Sequence, residues 1–371
     1  MKITHIETIK VSVPIKPMLA IRHSGGMHAA SPFLLVRVHT DAGIIGLGEA
    51  SCTPFWSGED HATAKHYIDD TLAPVLIGKD PRDIEPLSRT MDRLLAGNVF
   101  TKSALQMAFW DILGKEAGLP LYRLWGGLVR ETVPLKFSIS GASPTEAARI
   151  AGWAVEQGFK TVKVKVGGSA DRDYERVLAV RLAIGTDVRL GVDANGGWSV
   201  REAISALRRM KELDLAFAEQ PVPPDDPAWM TDVRRAVSLP IIADESAFSP
   251  AQAMALVRES AADVFSIYVG KVCGLAGARQ MAAIAQAAGL VCTVGSNLEL
   301  GVGSAAMIHL ALSTPGIDAE AFPCDIIGPF YYEEDILTEP LPLHDGQAAR
   351  LEKPGLGVDL DMEKVARFTV A

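Results

Sequence analysis

Cysteine is scarce in this chain, and nothing in its spacing suggests a structural role. The four thiols, Cys52, Cys273, Cys292 and Cys324, contain no C-x-x-C pair. Neither a disulfide framework nor a cysteine zinc site is indicated, and free thiols in a reducing cytoplasm are expected. Long apolar runs are also missing: the chain nowhere has the roughly 18 consecutive apolar residues of a membrane span. Its start, MKITHIETIKVSVPIKP, alternates apolar and polar residues and reads as a strand, not as a secretory leader. Positive charge is in deficit, with a formal net charge of −9 and no polybasic cluster, which excludes the basic stripe a nucleic-acid binder needs. No G-x-G-x-x-G follows a strand-like run, which argues against a dinucleotide-binding open sheet.

What is present is apolar material in two distinct rhythms. With 371 residues, 48% of them hydrophobic, the chain can build a large core in more than one unit. In residues 1–50 the runs ITHIETIKVSV, FLLVRVHT and IIGLGEA alternate with period two around the turn Asp41-Ala42-Gly43, which suggests an antiparallel meander. Residues 61–117 then turn helical and end at a glycine suited to a helix C-cap. After Gly126-Gly127 short apolar strands alternate with amphipathic helices: LKFSIS, TVKVKV, VRLGVDA, LAFAEQP, LPIIADE, DVFSIYV, LVCTVGS and AEAFP. The fold class expected is α/β: a modified TIM barrel, (β/α)8 or (β/α)7β, over 126–335, with an α+β capping domain over 1–125 and a tail, 336–371, that returns to it.

The strand TVKVKV carries two lysines two residues apart, so Lys163 and Lys165 point the same way. A solvated strand face explains such a pair cheaply; the other strand ends argue for more. Asp193 in VDAN, Glu219 in AEQP, Asp244 in ADES and Tyr268 in SIYVGK follow Lys165 at intervals of 28, 26, 25 and 24 residues, one βα unit each time. A single carboxylate there can simply cap the next helix. Three in register converge on one side of a barrel mouth, where their repulsion calls for a hard divalent cation with oxygen ligands. Magnesium suits the site better than zinc, because no histidine or cysteine stands at an equivalent position.

The set K-V-K at 163–165, D-A-N at 193–195, E-Q-P at 219–221 and D-E-S at 244–246 resembles the enolase superfamily, specifically its mandelate racemase/muconate lactonizing enzyme subgroup. The resemblance covers nearly the whole chain. It implies that Asp193, Glu219 and Asp244 bind Mg2+ and that Lys165 is the acid/base on one face of a carboxylate substrate. Lys163 would contact the substrate carboxylate and lower the pKa of Lys165, and the chemistry would pass through an enediolate. A cytoplasmic homo-oligomer acting on a small molecule, with no nucleic-acid or membrane partner, is the corresponding expectation.

The sequence departs from that pattern where a second lysine is expected on the sixth strand. Tyr268 holds the position, and Lys271, three residues on, matches a different lysine that many relatives carry. One base suits cycloisomerisation or syn elimination; racemisation or epimerisation would need Tyr268 or Lys271 as a second. Glu299 in SNLELG matches a glutamate of muconate-type cycloisomerases and is a further catalytic candidate. Asp325 falls where dipeptide epimerases carry an aspartate pair, but the partner position is Ile327, which argues against a dipeptide substrate. Candidate substrate contacts are Lys163, Asn195, Lys271 and Asp325 in the barrel, with Phe55 and Trp56 as an apolar wall and His28, beside His23, in a glycine-bearing lid loop. A metal-free Schiff-base lysine would leave three carboxylates unused, and a non-catalytic scaffold is the remaining alternative.

Overall fold

The computed structural model describes residues 1–23 and 26–370, and the side chains of 21–28 fall outside the described set. The expected meander is an antiparallel sheet in which Ala30–Thr40 lies between Ile3–Pro14 and Ile45–Ala50. The nineteen-residue helix Val99–Ala117 packs on the last of these strands. Contact is close because IIGLGEA presents hydrogens to the helix: a Cβ at Gly46 would lie 2.1 Å from the Ala108 carbonyl oxygen, and one at Gly48 1.9 Å from that of Ala104. The helix ends at Gly118 in the left-handed region, φ 66°.

Seven parallel strands then follow in sequence order: Phe137–Ile139, Thr161–Lys165, Arg189–Asp193, Leu215–Glu219, Ile241–Ala243, Val264–Ile267 and Val291–Val294. Ser143 and Ser199 open the helices after the first and third strands with capping boxes to Glu146 and Glu202, a signal written in S-x-x-E. AEAFP is expected as an eighth strand but is irregular. Residues 316–325 nevertheless bridge the gap, because Cys292 N–H donates to Gly316 O (2.8 Å), Asp325 N–H to Val294 O (2.8 Å) and Lys136 N–H to Cys324 O (2.9 Å). Pro323 has no N–H to give, so a continuous ladder cannot form there. The tail pairs Gln347–Ala349 with Thr132–Pro134 and reaches the first strand, where Val370 N–H donates to Lys10 O at 3.0 Å. Among the described residues no helix is long and apolar enough to cross a membrane.

One buried histidine gives the fold a pH dependence. His309, on the helix Gly301–Ser313, bonds Leu356 O through Nε2 at 3.0 Å and lies against the Tyr122 ring, while its Nδ1 has no hydrogen-bond partner among the described residues. Burial pushes its pKa down to about 4, only partly opposed by the Leu356 carbonyl. The unfolded chain takes up this proton near pH 6.5 and the folded chain does not. The histidine's contribution is therefore present above that pH and is lost as pH falls through the folded value. Between pH 7 and pH 4 the wild type should lose about 3 kcal/mol more unfolding free energy than His309→Gln, measured by urea denaturation. Parallel curves for the two proteins would show that His309 is not the titrating group.

Candidate active site

Closing the sheet brings together residues far apart in the chain. Lys165 is the register partner of Asp193, and Asp193 that of Glu219, so one lysine and two carboxylates lie in a row across three strands. Lys163 Nζ, almost fully buried, sits among carboxylates: Glu219 Oε1 at 2.8 Å, Asp325 Oδ2 at 3.0 Å and Asp193 Oδ2 at 3.2 Å. Lys165 Nζ donates to Asp193 Oδ2 at 2.6 Å and to Asn195 Oδ1 at 2.8 Å, and its side chain keeps 33% exposure. Asp244 takes both remaining hydroxyl and ammonium donors, Lys271 Nζ on Oδ1 at 2.6 Å and the Tyr268 hydroxyl on Oδ2 at 2.5 Å.

Lys163 acts on Lys165 in the expected direction, but the neighbouring carboxylates decide the balance. Burial is the largest influence on the Lys165 pKa and lowers it, and Lys163 pushes the same way, but the charge and hydrogen bond of Asp193 at 2.6 Å together with the charge of Glu219 leave it above its ordinary value. Burial likewise opposes the charge on Lys163, yet Asp325, Glu219 and Asp193 hold its pKa well above normal. Glu219 is pushed up to about 8 by burial, despite Lys163 and with help from the neighbouring acids. Burial and then Asp244 raise the Tyr268 phenol well above its usual range, which is the wrong direction for a tyrosinate base.

The other sequence candidates separate. Trp56 turns inward, stacking on Tyr268 with ring centroids 5.4 Å apart and planes 18° apart, and its Nε1 donates to Glu245 Oε1 at 3.0 Å. Phe55 beside it is 90% exposed and forms no wall. Successive residues on a helical turn face different ways, so the Phe-Trp doublet cannot line one surface. Glu299 is buried against its own loop and the capping unit, accepting from Ser296 Oγ (2.6 Å), Asn297 N–H (3.0 Å) and Ser51 Oγ (3.4 Å). Asp325 is buried, its Oδ2 shared by Lys163 and Lys136, each at 3.0 Å. Asn195 links Lys165 to Glu245, its Nδ2 donating to Glu245 Oε1 at 2.8 Å. His28 and His23 lie outside the described side chains.

Three residues escaped the sequence reading. Gln220, in a left-handed conformation with φ 34°, accepts the backbone N–H of Asp244 (2.9 Å) and of Ser246 (3.1 Å) and so fixes the fifth strand's end. Glu245 is tied to both Asn195 and Trp56. Lys136 is fully buried in LKFSIS, where a lysine in an apolar strand is the same signal that marked Lys163.

A hard cation can be tested against this donor set. As the side chains stand, no three acids among the described residues surround a common point; Asp193 and Glu219 are paired with Lys163. The residues still fit such an ion in kind: the third, fourth and fifth strands each end at or just before a carboxylate, Asp193, Glu219 and Asp244. Glu219 Oε2, buried and without a hydrogen-bond partner among the described residues, is an unused acceptor there.

A seven-stranded parallel barrel behind an α+β cap, with lysines and carboxylates gathered at consecutive strand ends, is the framework of an enolase-type enzyme. The chain belongs to the mandelate racemase/muconate lactonizing enzyme family of the enolase superfamily. Residues 3–126 match the family's N-terminal domain and residues 146–365 the enolase C-terminal domain-like family. It is similar to the N-succinyl-L-Arg/Lys racemase of Bacillus cereus, with 34% identity over all of this chain and 98% of that protein; the crystal structure of that racemase superposes with a TM-score of 0.95. It is 35% identical to the L-Ala-D/L-Glu epimerase of Bacillus subtilis, over 96% of this chain and 97% of the other. The 2-chloromuconate cycloisomerase of Rhodococcus opacus shares 33% identity and a TM-score of 0.95, with complete coverage of both chains.

Proposed function

We propose that this protein is a Mg2+-dependent isomerase of the cycloisomerase type, or a syn-eliminating lyase, that moves a proton α to a substrate carboxylate with Lys165 as its acid/base. One observation carries this reading. Of Lys136, Lys163, Lys165 and Lys271, only Lys165 has appreciable solvent access, the others being 0–4% exposed. Across the barrel, at the end of the sixth strand, Tyr268 has its hydroxyl committed to Asp244. When bound, Mg2+ would be held by Asp193, Glu219 and Asp244 and would offset the charge of an enediolate, whose parent carbon acid is otherwise too weak for an amine to deprotonate. Lys163 contributes a fixed positive charge beside the base for the substrate carboxylate. Asn195 holds the Lys165 ammonium by its Oδ1, setting where the proton is delivered.

A two-base racemase or epimerase is the second reading, supported by the racemase and epimerase among the relatives at 34–35% identity. Candidate carboxylic acids incubated with enzyme and Mg2+ in D2O separate the two. The one-base reading expects solvent deuterium in an isomerised or eliminated product and none in a stereoinverted substrate. Recovery of deuterated, inverted substrate would establish the second reading in its place.

A further inference from the structure

We propose that Tyr268 is a positioning residue for Asp244, and that Trp56 of the capping unit holds Tyr268 in that role. The inference rests on the metal reading above and assigns the tyrosine a part that a poor second base would not have.

Both carboxylate oxygens of Asp244 are held, but by unequal partners. Lys271 on Oδ1 is anchored independently, donating also to the backbone carbonyls of Asp244 (2.8 Å) and Ser266 (2.7 Å). The Tyr268 hydroxyl makes its one hydrogen bond among the described residues to Oδ2, so the placement of that oxygen follows the placement of the ring. The ring sits in a built slot. On one side is Gly295, where an added Cβ would lie 1.8 Å from Tyr268 Cε1, so only a bare Cα leaves room. Trp56 stacks on it at 5.4 Å, and the Lys271 ammonium lies 4.5 Å from the ring centroid.

Trp56 is itself fixed. Its rings pack on Phe248 (5.0 Å) and Phe100 (5.9 Å), and its N–H reaches Glu245, the residue after Asp244. The capping unit therefore grips the fifth strand's end twice, directly through Glu245 and through Tyr268 at Asp244. A lysine at 268, with four rotatable bonds, could not transmit a position this way; a phenol wedged between two surfaces can. The geometry of one carboxylate is thereby tied to the seating of the capping loop.

Partners that orient a metal's ligands are typically worth about 10–100-fold in affinity. Calorimetric titration of Mg2+, with Mn2+ followed by electron paramagnetic resonance, should show Tyr268→Phe binding the ion about 10–100-fold more weakly than wild type, while metal-free melting temperatures stay close. Trp56→Leu should weaken binding in the same direction. Trp56→Phe, which keeps an aromatic face on Tyr268, should restore it to within about threefold. Equal affinities for wild type and Tyr268→Phe would overturn the proposal. Should Tyr268→Phe fail to fold, equal affinities for Trp56→Leu and Trp56→Phe would do the same. No Mg2+ binding by the wild type is a different result, which removes the metal reading and this inference together.

Discussion

If Asp193, Glu219 and Asp244 hold Mg2+ as proposed, replacing any one of them should lower turnover with Mg2+ by at least about 10³-fold, the several kcal/mol usual for an ion that stabilises charge in a transition state. The three variants should differ in stability. Among the described residues Asp244 is the one ion-pair partner of Lys271, which is fully buried, so Asp244→Ala strands an ammonium in the core and is expected to cost about 3–5 kcal/mol. Glu219→Ala leaves Lys163 with Asp325 and Asp193, and Asp193→Ala leaves Lys165 with access to water, so both should unfold at higher temperature than Asp244→Ala. Asp244→Asn keeps the shape and is the better test of activity at that position. The measurement is turnover with Mg2+ and with chelator, beside thermal melts. Full activity of all three alanine variants in chelator would refute the metal assignment.

Lys165→Ala should lose the roughly 10²–10⁴-fold typical of a general base, and more where the vacated site disturbs Asp193 and Asn195, which its ammonium now holds. Tyr268→Phe keeps the ring in its slot and removes a hydroxyl, for a loss of no more than about 10²–10³-fold. If the hydroxyl acts through Asp244, raising Mg2+ should recover much of that loss, because the defect is in ligand placement and not in proton transfer. A two-base enzyme working through Tyr268 behaves differently: its Phe variant stops stereoinversion yet still exchanges the α-proton on the Lys165 face. Following exchange and inversion separately by NMR in D2O distinguishes these outcomes, and the split would promote the racemase.

The sequence by itself determined the period of the capping sheet and of the strands that carry the lysines and carboxylates. Period-two alternation marked the capping sheet, and short apolar runs between amphipathic stretches marked the seven barrel strands. Regular spacing from Lys165 to Tyr268 placed five side chains at successive strand ends, because each βα unit repeats the same geometry. Such local periodicities are set by backbone geometry and survive in one dimension. Which atoms then meet was decided only by closure of the barrel. Lys163 and Asp325 are 162 residues apart and Trp56 and Glu245 189 apart, and no local pattern encodes either pairing. The same holds for the charge balance at Lys165, where Asp193 across the ladder outweighs a lysine two residues away. Phe55 and Trp56 part because a helical turn aims neighbours in different directions. The eighth position is filled without a strand because proline supplies no N–H to a ladder, while the edges on either side still demand partners. Side-chain periodicity follows from the chain alone; ion pairs depend on distances of about 3 Å that exist only once the sheet has curled.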